Sequence, residues 1–103
     1  MLKVINGVNH YPVSERIEFG LESMYEHARY MMECEYPDGK ITDEEYDHWE
    51  ALAEECEGLM QRGWLPGREY AQAKEITVQR EWIRYNRCLA AGMSEREAGL
   101  ALG

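Results

Sequence analysis

Four carboxylates on one predicted helix are the residues of this sequence that most directly suggest a binding function. They recur at spacings of three and four residues, which places them on one face of an α-helix. Carboxylates one turn apart can imitate the anionic surface of a nucleic acid or dock on a basic protein patch. The alternative interpretation is a solvated outer face, which is what most charge-rich helix faces are. The residues are Asp47, Glu50, Glu54 and Glu57.

Three arginines on a later helix form a second candidate face, with Trp82 and Tyr85 nearby. This mixture of residues is used at nucleic-acid and protein interfaces alike. We expect the arginines to pair with the acids of the preceding helix or with Glu81, because three positive charges cannot offset the field of nine net negative ones. The residues are Arg80, Arg84 and Arg87.

Catalytic and metal-binding patterns are sparse. Glu45 and His48 have the Glu-x-x-His spacing of di-iron helical bundles, with Glu33 or Glu35 near across the turn, but a surface position for His48 is the simpler interpretation. There is no phosphate-cradling glycine motif, no Gly-x-Ser-x-Gly and no CxxC pair. We therefore expect no catalytic residues, no metal and no cofactor. The cysteines are predicted to be reduced; they are Cys34, Cys56 and Cys88.

The pattern of apolar residues predicts a mainly α fold. We expect a small helical bundle, made of an antiparallel helix hairpin, a third long helix and a short C-terminal helix, with an N-terminal β-hairpin. The whole chain is one domain, as its 103 residues suggest. The predicted elements are a hairpin over 1–13 and helices over 14–36, 43–62, 68–91 and 94–102.

Local signals set these boundaries. Asn6-Gly7 is typical of a two-residue hairpin turn, and the short hairpin must pack on the helices or pair with another hairpin across a dimer. Thr42 and Glu45 form a capping-box pattern, and Pro37-Asp38-Gly39 should turn the chain between the first two helices. The third helix carries two apolar lines, Ile76, Ile83 and Ala90, and Val78, Trp82, Tyr85 and Leu89, which predict two packing neighbours.

Charge and hydropathy narrow the classes of partner. Nearly all of the formal charge of −9 arises in residues 37–62, which hold nine acids and two bases. Such a charge repels phosphate backbones and anionic lipids, so direct nucleic-acid binding is disfavoured. No apolar run approaches the roughly 20 residues that span a bilayer, and the N-terminus lacks a signal-peptide pattern. We expect a cytoplasmic protein without a membrane partner.

The segment Ala90-Ala-Gly-Met-Ser-Glu-Arg-Glu-Ala-Gly-Leu-Ala-Leu-Gly103 resembles the first half of a helix-turn-helix unit. In that family a recognition helix follows the final glycine and enters the major groove. The sequence has no residues after this glycine, so the resemblance does not supply the base-reading helix. In size and charge the chain also looks like the small acidic inhibitor proteins that bacteriophages encode.

Two hypotheses follow. In the first, the protein is a non-enzymatic binding module or inhibitor, and its acidic helix face occupies a basic, nucleic-acid-binding site on a partner protein. The hydrophobic seams on three helices also favour a homodimer. In the second, it is a regulatory or DNA-associated helix-turn-helix-like module that uses the arginine face of the third helix.

Overall fold

A computed structural model describes residues 2–102, and the side chains of residues 2–100. It contains four α-helices and a three-stranded antiparallel sheet, so the predicted mainly α bundle with an N-terminal hairpin is confirmed. No helix within this described range is both long and apolar enough to span a membrane. In chain order the elements are β1 (Lys3–Ile5), β2 (Val8–Pro12), α1 (Glu15–Tyr30), a π-helical turn (Met31–Glu35), α2 (Asp43–Met60), β3 (Trp64–Pro66), α3 (Gly67–Ala90) and α4 (Glu95–Leu102).

Side-chain caps fix the starts of three helices. The Ser14 hydroxyl accepts a hydrogen bond from the Ile17 N–H at 3.3 Å, and α1 begins there. Thr42 and Glu45 form the predicted reciprocal box, with both hydrogen bonds at 3.1 Å. Ser94 and Glu97 repeat this arrangement at α4. Each cap satisfies backbone N–H groups that the first helical turn leaves without partners.

The hairpin packs on α3, where Tyr11 stacks on Tyr70 with 5.2 Å between ring centroids, which is one of the two expected arrangements. It also pairs with a strand of its own chain, which was not predicted. Asn6 and Gly7 have φ angles of +51° and +76°, as the two-residue turn requires. Strand β2 then pairs with β3, placing Tyr11 opposite Leu65. The predicted elements include no strand between the helices over 43–62 and 68–91. A three-residue strand carries no period-2 signal, but Pro66 favours an extended conformation at Leu65.

Helix α1 is the centre of the bundle. It contacts both α2 and α3 extensively, whereas α2 and α3 barely touch each other. Its apolar residues Ile17, Leu21 and Met24 are buried, as the spacing predicts. They form the core with the following residues of the other elements: Cys56, Leu59, Leu65, Ala73 and Ile76.

The two apolar lines of α3 are buried to different extents. Ile76 is buried against α1 and α2, but Val78 and Trp82 on the other line are exposed, Trp82 at 58%. Helix α3 does pack on two helices, α1 and α4, as the two lines predict, but these two residues of the second line stay exposed. The short helix α4 packs on α3 without covering either residue. Val78 and Trp82 thus form an exposed apolar patch on α3, and such patches are a feature of binding surfaces.

Gly20 lets α1 and α3 approach closely. A Cβ atom at this position would overlap the Oγ1, Cγ2 and Cβ atoms of Thr77 on α3. Thr77 is buried, and its hydroxyl is satisfied within α3 because it donates to the Ala73 carbonyl at 2.9 Å. Glycine within a helix costs about 1 kcal/mol relative to alanine. Here the absence of a side chain permits the helices to pack.

We predict that Gly20→Ala destabilises the protein by about 1–3 kcal/mol, because the added methyl group forces α1 and α3 apart. Gly58→Ala is the matched control. Gly58 lies within α2 with nothing near its Cβ position, so alanine there should stabilise by about 0.5–1 kcal/mol. Urea denaturation measures both changes. Equal effects at the two positions would contradict the close approach of α1 and α3.

Candidate binding surfaces

The predicted acidic face lies along the seam between α1 and α2. Glu50, Glu54 and Glu57 are exposed and line a groove of about 300 Å³. This surface, called the acidic groove, places the three acids beside α1 and not on the outer pole of α2 opposite the core. The other lining residues are Tyr25, Arg29, Met32, Glu33, Tyr46 and Ala53. Asp47, the fourth predicted acid, is also exposed but does not line the groove.

Asp47 belongs to a neighbouring acidic cluster at the start of α2. The Tyr36 hydroxyl donates a hydrogen bond to Asp43 at 2.7 Å. This bond and the Asp43 charge raise the pKa of Tyr36, and Asp47 adds a smaller contribution of the same sign. Negative charge thus continues from the acidic groove to the turn before α2.

Three of the four carboxylates that line the acidic groove have no internal counter-ion. Arg29 is the single base among the residues that line it, and its Nε donates to Glu33 at 3.1 Å. The other ion pairs within the described residues are Arg16 with Glu81, Lys40 with Glu35, and Arg62 with Glu69. None of them includes Glu50, Glu54 or Glu57, so the charge of these three residues is directed to solvent.

The expected pairing of the three arginines with acids does not occur. Arg80 is partly buried, and its Nε donates to the hydroxyl of Ser23 at 3.0 Å and to the Ser23 carbonyl at 3.3 Å. Arg84 stacks over Phe19, with its guanidinium carbon 6.0 Å from the ring centroid. Glu81 pairs with Arg16 instead. The prediction fails because α3 packs on α1, whereas its proposed partners other than Glu81 lie on α2.

Arg80 and Arg84 line a cleft of about 490 Å³ between α1, α3 and α4. We call it the arginine cleft. Arg16, Phe19 and Ser23 contribute from α1, and Gly99 contributes from α4. Arg87 is exposed and lies outside the lining. Phe19, Ser23 and Gly99 were not predicted to be functional, although the mid-helix Gly20 was a signal for close helix packing at this point.

The floor of the arginine cleft is electropositive and partly desolvated. Burial lowers the pKa of Arg80, and the charges of Arg84 and Arg87 lower it further, with only Glu26 acting in the opposite direction. Its Nη1 atom is buried and has no hydrogen-bond partner. Burial and the charges of Arg80 and Arg87 also lower the pKa of His27 on α1. Positive charge is therefore concentrated at this seam despite the negative charge of the whole protein.

The side chains of the Glu-x-x-His pair, Glu45 and His48, make their contacts within α2 and its cap. The Glu45 carboxylate caps α2, and His48 lies edge-on to Trp49 with 5.3 Å between ring centroids. Within the described part of the chain, no three His, Cys, Asp or Glu side chains converge as a metal site would require. Of the cysteines, Cys56 is buried, and burial raises its pKa to about 11, whereas Cys34 is exposed.

The segment that resembles half of a helix-turn-helix unit forms α4. Its Ala98 side chain is buried, and Gly99 borders the arginine cleft. Gly103, the last residue of the resemblance, lies outside the described residues. In this structure the segment therefore completes a wall of the cleft.

Comparisons with protein-family models, with curated proteins and with solved structures found no match to this chain. Its function must therefore be inferred from the charge and geometry of these surfaces.

Proposed function

We propose that this protein is a non-enzymatic binding module of the cytoplasm. Its acidic groove occupies a basic surface on a partner protein, and an inhibitor that fills a nucleic-acid-binding site is the form of this activity we favour. The observation that carries the proposal is the set of groove carboxylates without an internal counter-ion. Unpaired surface charges of one sign attract and orient a partner of the opposite sign.

The neighbours of these carboxylates support a protein partner. Tyr25, Tyr46 and Met32 share the groove with the acids. Aromatic residues and methionine are enriched at protein interfaces. Aromatic rings offer large contact areas at a small cost in side-chain entropy, and the flexible thioether of methionine adapts to the shape of a partner. A basic side chain that enters the groove can therefore pair with a carboxylate while its aliphatic part packs on a ring or on a thioether.

We predict that Glu50→Lys/Glu54→Lys weakens binding of an octa-arginine peptide at least tenfold at about 50 mM salt, because it reverses two charges at the binding surface. The control is Glu55→Lys/Glu75→Lys, which changes two exposed acids outside the groove and raises the net charge by the same amount. The control should lose about threefold or less. Fluorescence anisotropy measures both affinities, and circular dichroism verifies folding. Equal losses would show attraction by net charge alone and refute a groove-specific site.

We further propose that the protein forms a homodimer through the exposed apolar line of α3. Val78 and Trp82 lie side by side on this helix, and Tyr85 packs edge-on against Trp82 with 5.4 Å between ring centroids. An exposed tryptophan supported by neighbouring apolar side chains is a common centre of an interface. The β-hairpin offers a competing dimer surface, because Val4 on the edge strand β1 is also exposed.

Trp82→Glu is expected to convert a dimer to a monomer, since it places a charge at the centre of the apolar line. Val4→Glu, at the hairpin edge, should leave the dimer intact. Light scattering coupled to gel filtration at about 100 µM protein, a concentration that populates dimers of micromolar affinity, gives the mass of each variant. A monomeric wild type would contradict the dimer, and dissociation by Val4→Glu alone would place its interface at the hairpin.

A further inference from the structure

The arginine cleft lies on the other flank of α1 from the acidic groove and has a different chemistry. Three guanidinium groups line it, those of Arg16, Arg80 and Arg84, together with the Ser23 hydroxyl. Glu81 is the single acid in the lining, and its carboxylate is held by Arg16. Its volume of about 490 Å³ lies within the usual range of small-molecule sites. The cleft is thus a concave site with a net positive lining.

Two of these guanidinium groups have no acidic partner. No ion pair within the described residues includes Arg80 or Arg84, although the chain contains 20 acids. A buried N–H group without an acceptor costs roughly 1–3 kcal/mol, more where the group is charged. The Nη1 atom of Arg80 is such a group. An anion in the cleft would compensate the charge that the protein leaves unpaired.

We propose that the arginine cleft binds a phosphate monoester, with the phosphate between Arg80 and Arg84 and the organic part against Phe19. The planar guanidinium fork matches the oxygens of phosphate and can donate two hydrogen bonds to it. Phe19 is 59% exposed, so its ring is available to an apolar or aromatic group. The volume of the cleft exceeds that of inorganic phosphate, and this leaves room for the organic part.

The same geometry favours a small ligand over a nucleic-acid backbone. A duplex is bound by basic side chains that extend from an exposed face towards successive phosphates. Arg80 is instead held at the cleft floor by Ser23, and Arg84 lies over Phe19. The acidic remainder of the surface repels a long polyanion but is partly screened from a single phosphate inside the cleft.

Calorimetric titration with phenyl phosphate at about 50 mM salt tests the proposal. We expect saturable binding with a dissociation constant of about 1 mM or below. Arg84→Gln should weaken it about tenfold, because one charge-assisted contact is lost. Arg68→Gln is the matched control: it removes the same charge from the start of α3, outside the cleft, and should change the affinity less than twofold. Absence of saturation up to about 10 mM, or equal losses in the two variants, would overturn the proposal.

Two further variants separate a binding role from structural damage. Glu81→Gln removes the acid from the cleft and frees Arg16, so phenyl phosphate should bind about threefold tighter. A variant that only damaged the fold would not gain affinity. Phe19→Ala should reduce the affinity for phenyl phosphate to that for inorganic phosphate, because the phenyl ring of the ligand then has no aromatic side chain to pack against. Weaker binding by Glu81→Gln, or an unchanged preference for phenyl phosphate in Phe19→Ala, would contradict the assigned positions.

Discussion

The close approach of α1 and α3 at Gly20 is the constraint on which the arrangement of this protein depends. Because Gly20 has no side chain, Thr77 packs directly against the α1 backbone. One turn further along both helices, Arg80 then reaches both the hydroxyl and the carbonyl oxygen of Ser23. A wider separation would remove these hydrogen bonds and turn the cleft floor into open surface. The glycine lowers the intrinsic stability of α1, and the packing of the two helices compensates for it.

Surfaces of opposite charge lie on the two flanks of helix α1. On the α2 side, Glu50, Glu54 and Glu57 of the acidic groove are exposed to solvent without counter-ions, and only Glu33 among the groove carboxylates is paired. On the α3 side, guanidinium groups gather around a cleft that contains one acid, already paired. The two sets of charges do not neutralise each other, because α2 and α3 scarcely touch. In a bundle in which α3 packed on α2, these opposite charges would lie next to each other and would neutralise one another.

Much of the fold could be predicted because its signals are local. Asn6-Gly7 fixes the hairpin turn, Thr42 and Glu45 fix the start of α2, and Gly39, with a φ angle of +73°, lies in the predicted turn before it. Strand β3 could not be predicted from local signals, because its three residues form a strand only by pairing with β2. The arginine cleft was missed for a related reason. Arg80 and Arg84 were identified from their spacing, but Ser23, the partner of Arg80, and Phe19, the partner of Arg84, are more than 50 residues away from them in sequence.

Helix packing at Gly20 holds the Arg80 side chain in place against Ser23. Nuclear magnetic resonance of the arginine side chains tests it most directly, through hydrogen exchange of the Nε–H group of Arg80. We predict slow exchange relative to Arg68 in the wild-type protein, because Ser23 accepts this hydrogen. In Gly20→Ala the exchange should accelerate to the rate of Arg68. Fast exchange in the wild type, or protection that persists in Gly20→Ala, would contradict this account.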